Sequence, residues 1–200
     1  MKSKSDAFAD LVEALKVLPN VGPKTAQRMA FDLLQHHRTG AQRIVNTLQT
    51  ALEQVQHCRL CNTLCEGDLC SICSDKTRDV SRLMIVQMPV DVFSMENAHC
   101  HDGLYFVLAG QIQPTQNQDL QSIALEQLLA RITEHAIQEV IIATDFTAEG
   151  NATAFILFEL LKKFSIKISR LSQGMPLGSE LEYIDAGTLA QAVYERKSMQ

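Results

Sequence analysis

The 200-residue chain has no tryptophan, five prolines and nine glycines, and aromatic residues make up only 6% of it. So few breakers exclude a collagen-like or low-complexity protein. No apolar run approaches the roughly 18–20 residues that a membrane-spanning helix needs. The opening MKSKSDAF has neither the apolar centre nor the cleavage site of a signal peptide. A cytoplasmic location with no membrane partner is expected. An excess of positive charge is also missing: 18 Lys and Arg stand against 23 Asp and Glu, a net charge of −5. That balance excludes a protein that wraps itself in nucleic acid by bulk charge, and it confines any such contact to a local patch. The charge is uneven, +1 over residues 1–80 and −6 over residues 81–200. The two parts are therefore expected to meet different partners.

What is present begins with an amphipathic helix over residues 6–18, where Phe8, Leu11, Val12, Leu15 and Leu18 fall at helical spacing. Pro19-Asn20-Val21-Gly22 stops it, and Pro23 opens a second helix whose stripe is Ala26, Met29, Ala30, Leu33 and Leu34. Asn20 and Gly22 both tolerate positive φ, so the turn can be sharp and the amides at the next helix's N-terminus can face outward. Lys24 and Arg28, spaced i, i+4, then share a face beside those amides. Such a site suits a DNA phosphate and reads no base. The same turn also fits a plain helical corner with two solvated cations. The string LPNVGPKTAQR resembles a helix–hairpin–helix, a module that holds the DNA backbone without sequence preference. It departs from that module at Asn20, where Gly is usual. Residues 41–56 supply a third helix whose Ile44, Val45, Leu48, Ala51, Leu52 and Val55 read as packing.

Five of the six cysteines lie between Cys58 and Cys73. In a reducing compartment this is a metal pattern rather than a disulfide framework. Cys58-x2-Cys61 and Cys70-x2-Cys73, eight residues apart, are two knuckle pairs that can complete a tetrahedron around one Zn²⁺. Four protein ligands leave no open position, so the site reads as structural. An iron–sulfur cluster is the rival occupant. Cys65 reads as a spectator, since Cys65-x4-Cys70 is poor knuckle spacing, and His57 as a neighbour of the site. His99-Cys100-His101 reads as a loop with incidental soft side chains.

Beyond the cysteines, apolar runs at 83–86, 105–108, 140–143 and 166–168 read as buried strands. They alternate with helical segments near 91–97, 122–136 and 150–164. The alternation implies a mostly parallel sheet covered on both faces. Its ligand or partner sites are expected beyond the strands' carboxyl ends, at Gln87, Ala109-Gly110 and the 144–150 loop. This stretch looks like a Toprim domain. Catalytic Toprim members hold Mg²⁺ with a Glu after the first strand and an Asp-x-Asp later, because a hard cation wants several carboxylate oxygens. Here the first position is Gln87 and the later one offers Asp145 alone, with Glu149 nearby. The domain therefore reads as non-catalytic.

The tail, GMPLGSELEYID followed by Thr188-Leu189-Ala190-Gln191-Ala192, joins the hairpin string, the paired cysteines and the run Ala148-Glu149-Gly150-Asn151-Ala152. Together they resemble the RecR family of bacterial recombination mediators, in order and over nearly the whole chain. The resemblance implies a multidomain α+β chain with a helix–hairpin–helix domain over 1–56, a four-cysteine zinc finger over 57–77, a Toprim domain over 78–172 and a C-terminal segment and helix over 173–200. It implies a dimer or tetrameric ring able to encircle DNA, no enzymatic activity, and work with RecO and often RecF to load recombinase onto single strands. Its implied sites are Asn20, Gly22, Lys24 and Arg28 for DNA, Cys58, Cys61, Cys70 and Cys73 for zinc, and Glu149 with Asp145 for a basic partner. Family members usually carry Glu at the positions of Gln87 and Asn151, a second Gly at Ala109 and a Gly-rich loop at 114–119. Three functions are weighed: a DNA-binding mediator, a Toprim-type Mg²⁺-dependent nuclease or primase, and an architectural zinc adaptor without DNA contact.

Overall fold

The computed structural model describes residues 6–109, 124–172, 174–175, 178 and 180–194. Gly110, the 114–119 loop and parts of the 173–179 segment lie outside them. The chain divides into two compact units, Met1–Val55 and Gln56–Gln200.

The first unit is helical: α1 (Ala7–Leu15), α2 (Pro23–Gln35) and α3 (Arg38–Gln54). Asp6 caps α1, its carboxylate accepting from the Phe8 amide at 3.0 Å. The Phe8 and Phe31 rings pack 4.6 Å apart between α1 and α2. Ala26 and Ala30 are the buried side chains of this unit among the described residues. The third helix differs from its sequence reading. None of its side chains is buried, and Ile44, Val45, Leu48 and Leu52 are all exposed. Apolar spacing reports a stripe; it does not say whether this chain covers it.

The second unit opens with a small hairpin sheet of β1 (Val55–His57) and β2 (Leu64–Glu66), followed by the one-turn helix α4 (Ser71–Ser74). Then come β3 (Asp79–Val86), α5 (Pro89–Ala98), β4 (Gly103–Val107), α6 (Leu125–Glu134), β5 (Glu139–Ala143), α7 (Ala148–Leu161) and β6 (Lys167–Arg170). A 3-10 turn (Leu181–Tyr183) and α8 (Ala186–Tyr194) follow. The four strands of the main sheet run in the order β4-β3-β5-β6, and every pairing is parallel.

Alternation along β3 builds two cores. Leu83 and Ile85 face Phe106, Leu128, Ile132, Ala154 and Leu157, which places α6 and α7 on one side. Met84 and Val86 face Tyr105, Val107 and Val92, which places α5 on the other. Both faces are covered, as a parallel sheet requires. The chain goes from β3 to β4 on one side and later returns to β5 on the other. The reversal of order therefore falls between the carboxyl ends of β3 and β5, where open sheets hold ligands. Among the described residues no helix is long and apolar enough to cross a membrane.

Candidate metal centre and nucleic-acid interface

The Cys58, Cys61, Cys70 and Cys73 sulfurs lie within 4.8 Å of one another. A tetrahedral Zn²⁺ with bonds of about 2.3 Å places its sulfurs roughly 3.8 Å apart, and Cys61 Sγ to Cys70 Sγ is 3.5 Å. Two backbone amides point at sulfur: Cys70 N–H donates to Cys58 Sγ and Cys73 N–H to Cys70 Sγ, each at 3.4 Å. Amide donors aimed at sulfur favour thiolates, so the donor set fits zinc. The hydrogen bond shared by Cys61 and Cys70 pushes the Cys61 thiol up and holds Cys70 down. Cys58, Cys61 and Cys70 are buried and Cys73 half-buried. Cys65 stands outside the cluster and donates to the Gly67 carbonyl at 3.2 Å.

Local backbone makes the knuckles possible. Asn62 adopts φ 62° and returns the chain, so that the Cys58 amide meets the Thr63 carbonyl at 2.7 Å. The finger is seated on the main sheet. The Val107 amide donates to the Cys61 carbonyl at 2.8 Å, and the Asn62 side chain donates to the Val107 carbonyl at 2.8 Å. Helix α6 adds Gln127 Nε2 to the Arg59 carbonyl at 2.6 Å and Arg131 to Cys73 Sγ at 3.6 and 3.7 Å. Arg131 did not emerge from the sequence reading. Its signal was a single cation among the apolar positions Leu125, Leu128 and Ile132 of an amphipathic helix.

In the helical unit Asn20 takes the left-handed conformation at φ 63°. Gly22 does not: its backbone is extended (φ −81°, ψ 174°), and it serves as the N-cap of α2 with Pro23 next. The reversal therefore rests on Asn20 alone, while Gly22 offers no side chain to cap the first amides of α2. A Cβ at Gly22 would meet nothing within 4 Å, so the approach to that helix end is open. Lys24 and Arg28 are exposed on the first turns of α2.

At the sheet's switch point, Gln87 is 1% exposed, and its Oε1 accepts from the Asp145 amide at 2.9 Å. The two strand ends are thus bridged by a neutral amide, whose Nε2 has no partner among the described residues. The loop that follows is pinned several times over. Thr144 Oγ1 donates to the Gly150 carbonyl at 3.0 Å, and Thr147 caps α7 by accepting from the Gly150 amide at 3.1 Å. Arg170 donates to Asn151 Oδ1 at 2.7 Å and lies 4.9 Å from the Phe146 ring centre. Asp145 and Glu149 are both exposed on this loop and the first turn of α7. Ala109, after β4, holds φ 57°, a conformation that favours glycine.

The His99-Cys100-His101 segment is more structured than its composition suggested. His99 ends α5 at φ 49°, and His101 is buried with Nε2 3.1 Å from the Leu104 carbonyl. Burial pushes the pKa of the His101 imidazole down from its ordinary value. Arg78 bridges the region as a two-pronged partner of Glu96, which also accepts from the Tyr105 hydroxyl at 2.7 Å. Among the described residues, the four cysteines are the group of three or more ligand side chains that converges.

Comparisons with known proteins follow the same order along the chain. Family models match residues 8–52 (RecR, helix-hairpin-helix), 55–75 (RecR, four-cysteine zinc finger domain), 81–172 (Toprim domain) and 174–197 (RecR, C-terminal). Recombination protein RecR of Neisseria meningitidis serogroup C (strain 053442) is 63% identical over 194 residues, spanning 97% of this chain and 95% of that protein. Recombination protein RecR of Chromobacterium violaceum is 52% identical over 193 residues, spanning 96% and 98%. With a hairpin, a four-cysteine zinc centre and a parallel Toprim sheet all in register with these matches, the chain belongs to the RecR family.

Proposed function

We propose that this chain is a non-enzymatic recombination mediator in DNA repair. In this reading it grips DNA without sequence preference as an oligomeric clamp, a dimer or tetrameric ring. It acts with RecO and RecF to load recombinase onto gapped or single-stranded DNA in the cytoplasm, at the nucleoid. Its working parts are the hairpin over 1–56, the finger over 57–77, the Toprim domain over 78–172 and the C-terminal segment over 173–200. Family membership supports the assignment to recombination and repair.

The observation that carries the DNA reading is the start of α2. Its uncapped amides, an open approach at Gly22 and the exposed cations Lys24 and Arg28 stand together on a chain of net charge −5. A phosphate contact there would be weak singly and strong when multiplied by subunits. The exposed apolar stripe of α3, Ile44, Val45, Leu48 and Leu52, supports association, since a monomer gains nothing by leaving it in water. Glu149 and Asp145 supply an acidic edge for a basic partner. The enzyme reading meets a neutral, already engaged amide at Gln87, where a hard cation would want a carboxylate.

Lys24→Ala with Arg28→Ala should weaken binding to single- and double-stranded DNA alike. The salt slope should fall by about 2 while zinc content stays unchanged. Unaltered affinity at low salt would sink the assignment and leave the architectural adaptor. Metal-dependent cleavage or primer synthesis by the purified protein would favour the nuclease or primase reading instead.

A further inference from the structure

A guanidinium taken out of water needs a compensating negative charge close by. The two half-buried arginines of the second unit have carboxylates: Arg78 pairs with Glu96, and Arg82 with Asp79 and Asp102. Arg131, only 3% exposed, has no such partner among the described residues. Both of its terminal nitrogens point at Cys73 Sγ, at 3.6 and 3.7 Å, and its Nε has no acceptor among the described residues. A neutral thiol is a poor acceptor, whereas four thiolates around a dication carry a net charge of −2. The other ties between finger and sheet, from Gln127, Asn62 and the Val107 amide, join neutral groups and do not depend on the metal's charge.

We infer that Arg131 is the counter-charge of the four-thiolate centre, and that through it metal occupancy of the finger is linked to the stability of the Toprim sheet. With the centre loaded, the guanidinium faces an anionic sulfur. When the metal leaves, the knuckles that hold Cys73 against the guanidinium lose the ion that folds them, and the same cation stays buried on α6 between Leu128 and Ile132, two residues of the main core, with no carboxylate beside it among the described residues. The finger thereby reports its metal state to the layer that carries the 144–151 loop. This linkage is independent of whether the chain binds DNA.

The test uses the full chain, with zinc release to a chromophoric chelator and thermal unfolding before and after stripping. Arg131→Met, which keeps length and removes charge, should speed zinc release roughly ten-fold or more, the scale seen when groups supporting metal ligands are removed. Arg131→Lys, which keeps the charge and loses the fork, should fall between Arg131→Met and the native chain. Gln127→Ala, which breaks a neutral tie one turn away, should release zinc at the native rate. Stripping zinc should lower the unfolding midpoint less in Arg131→Met than in the native chain, because the variant has no charge to strand. Native-like release from the Arg131 variants would overturn the inference. So would equal loss from Gln127→Ala, which would make the contact one of packing alone. If Arg131→Met does not fold, Arg131→Lys against Gln127→Ala decides on the same criterion.

Discussion

The two units reach order by different means. Met1–Val55 buries only Ala26 and Ala30 among its described residues, and it leaves Phe31, Ile44, Val45, Leu48 and Leu52 in solvent. Gln56–Gln200 packs a four-stranded sheet between two apolar layers and adds a metal centre on one flank. The first unit is secondary structure arranged around a turn, with its surface free for contacts. The second carries its own core and holds its loops by long-range bonds. Tolerance to substitution should follow the same division: steep around the metal and the sheet, shallow around the hairpin.

The strongest way to break that contrast is to remove a thiolate. Cys58→Ser should take zinc from one ion per chain to none and cost the second unit several kcal/mol, because metal binding there is folding free energy. Helical signal from the first unit should survive. Elemental analysis with denaturation followed by circular dichroism measures both, and undiminished zinc would contradict the four-cysteine assignment. Gly150→Ala comes next. A Cβ there would lie 2.1 Å from the Asp145 carbonyl oxygen, a backbone atom that cannot step aside. Roughly 2–4 kcal/mol of destabilisation is expected by urea titration.

A smaller effect is set by pH. The Arg78 guanidinium beside Glu96 holds this carboxyl below its ordinary 4.5, so the unfolded chain takes up the proton more readily than the folded one. The stability from the pair is therefore complete above that pH and is lost as pH falls through the lower folded value. Glu96→Gln should cost roughly 1–2 kcal/mol at neutral pH and flatten the acid limb of stability. Equal acid sensitivity in the two proteins would mean that other carboxylates dominate. Least affected should be Gly22→Ala, which meets no atom within 4 Å at φ −81°. A change within about 0.5 kcal/mol is expected, alongside a measurable loss of DNA binding if the open helix end is used.

Much of this was legible because it is local. Apolar runs placed all four strands, although β3 begins at Asp79 rather than 83, its outer half being too polar to read as buried. Helix α7 starts at Ala148, two residues before the expected 150, because Thr147 caps it. Residue type allows a left-handed turn at either Asn20 or Gly22, and only the structure shows that Asn20 takes it, because glycine permits positive φ without requiring it. The apolar stripe of α3 was seen, but its exposure was not. Periodicity is a property of one helix, and burial is a property of its neighbours.

By itself the sequence determined the metal ligands, the order of the elements and the cationic hairpin. Each of these is written in residue types a few positions apart, within reach of one turn, knuckle or helix face. Only the tertiary structure decided what stands against them. Gln87 meets the Asp145 amide, and Arg131 meets Cys73, each across 58 residues of chain. Nothing in local spacing encodes such pairings, because they exist only once a parallel sheet has brought β3 beside β5 and laid α6 against the finger.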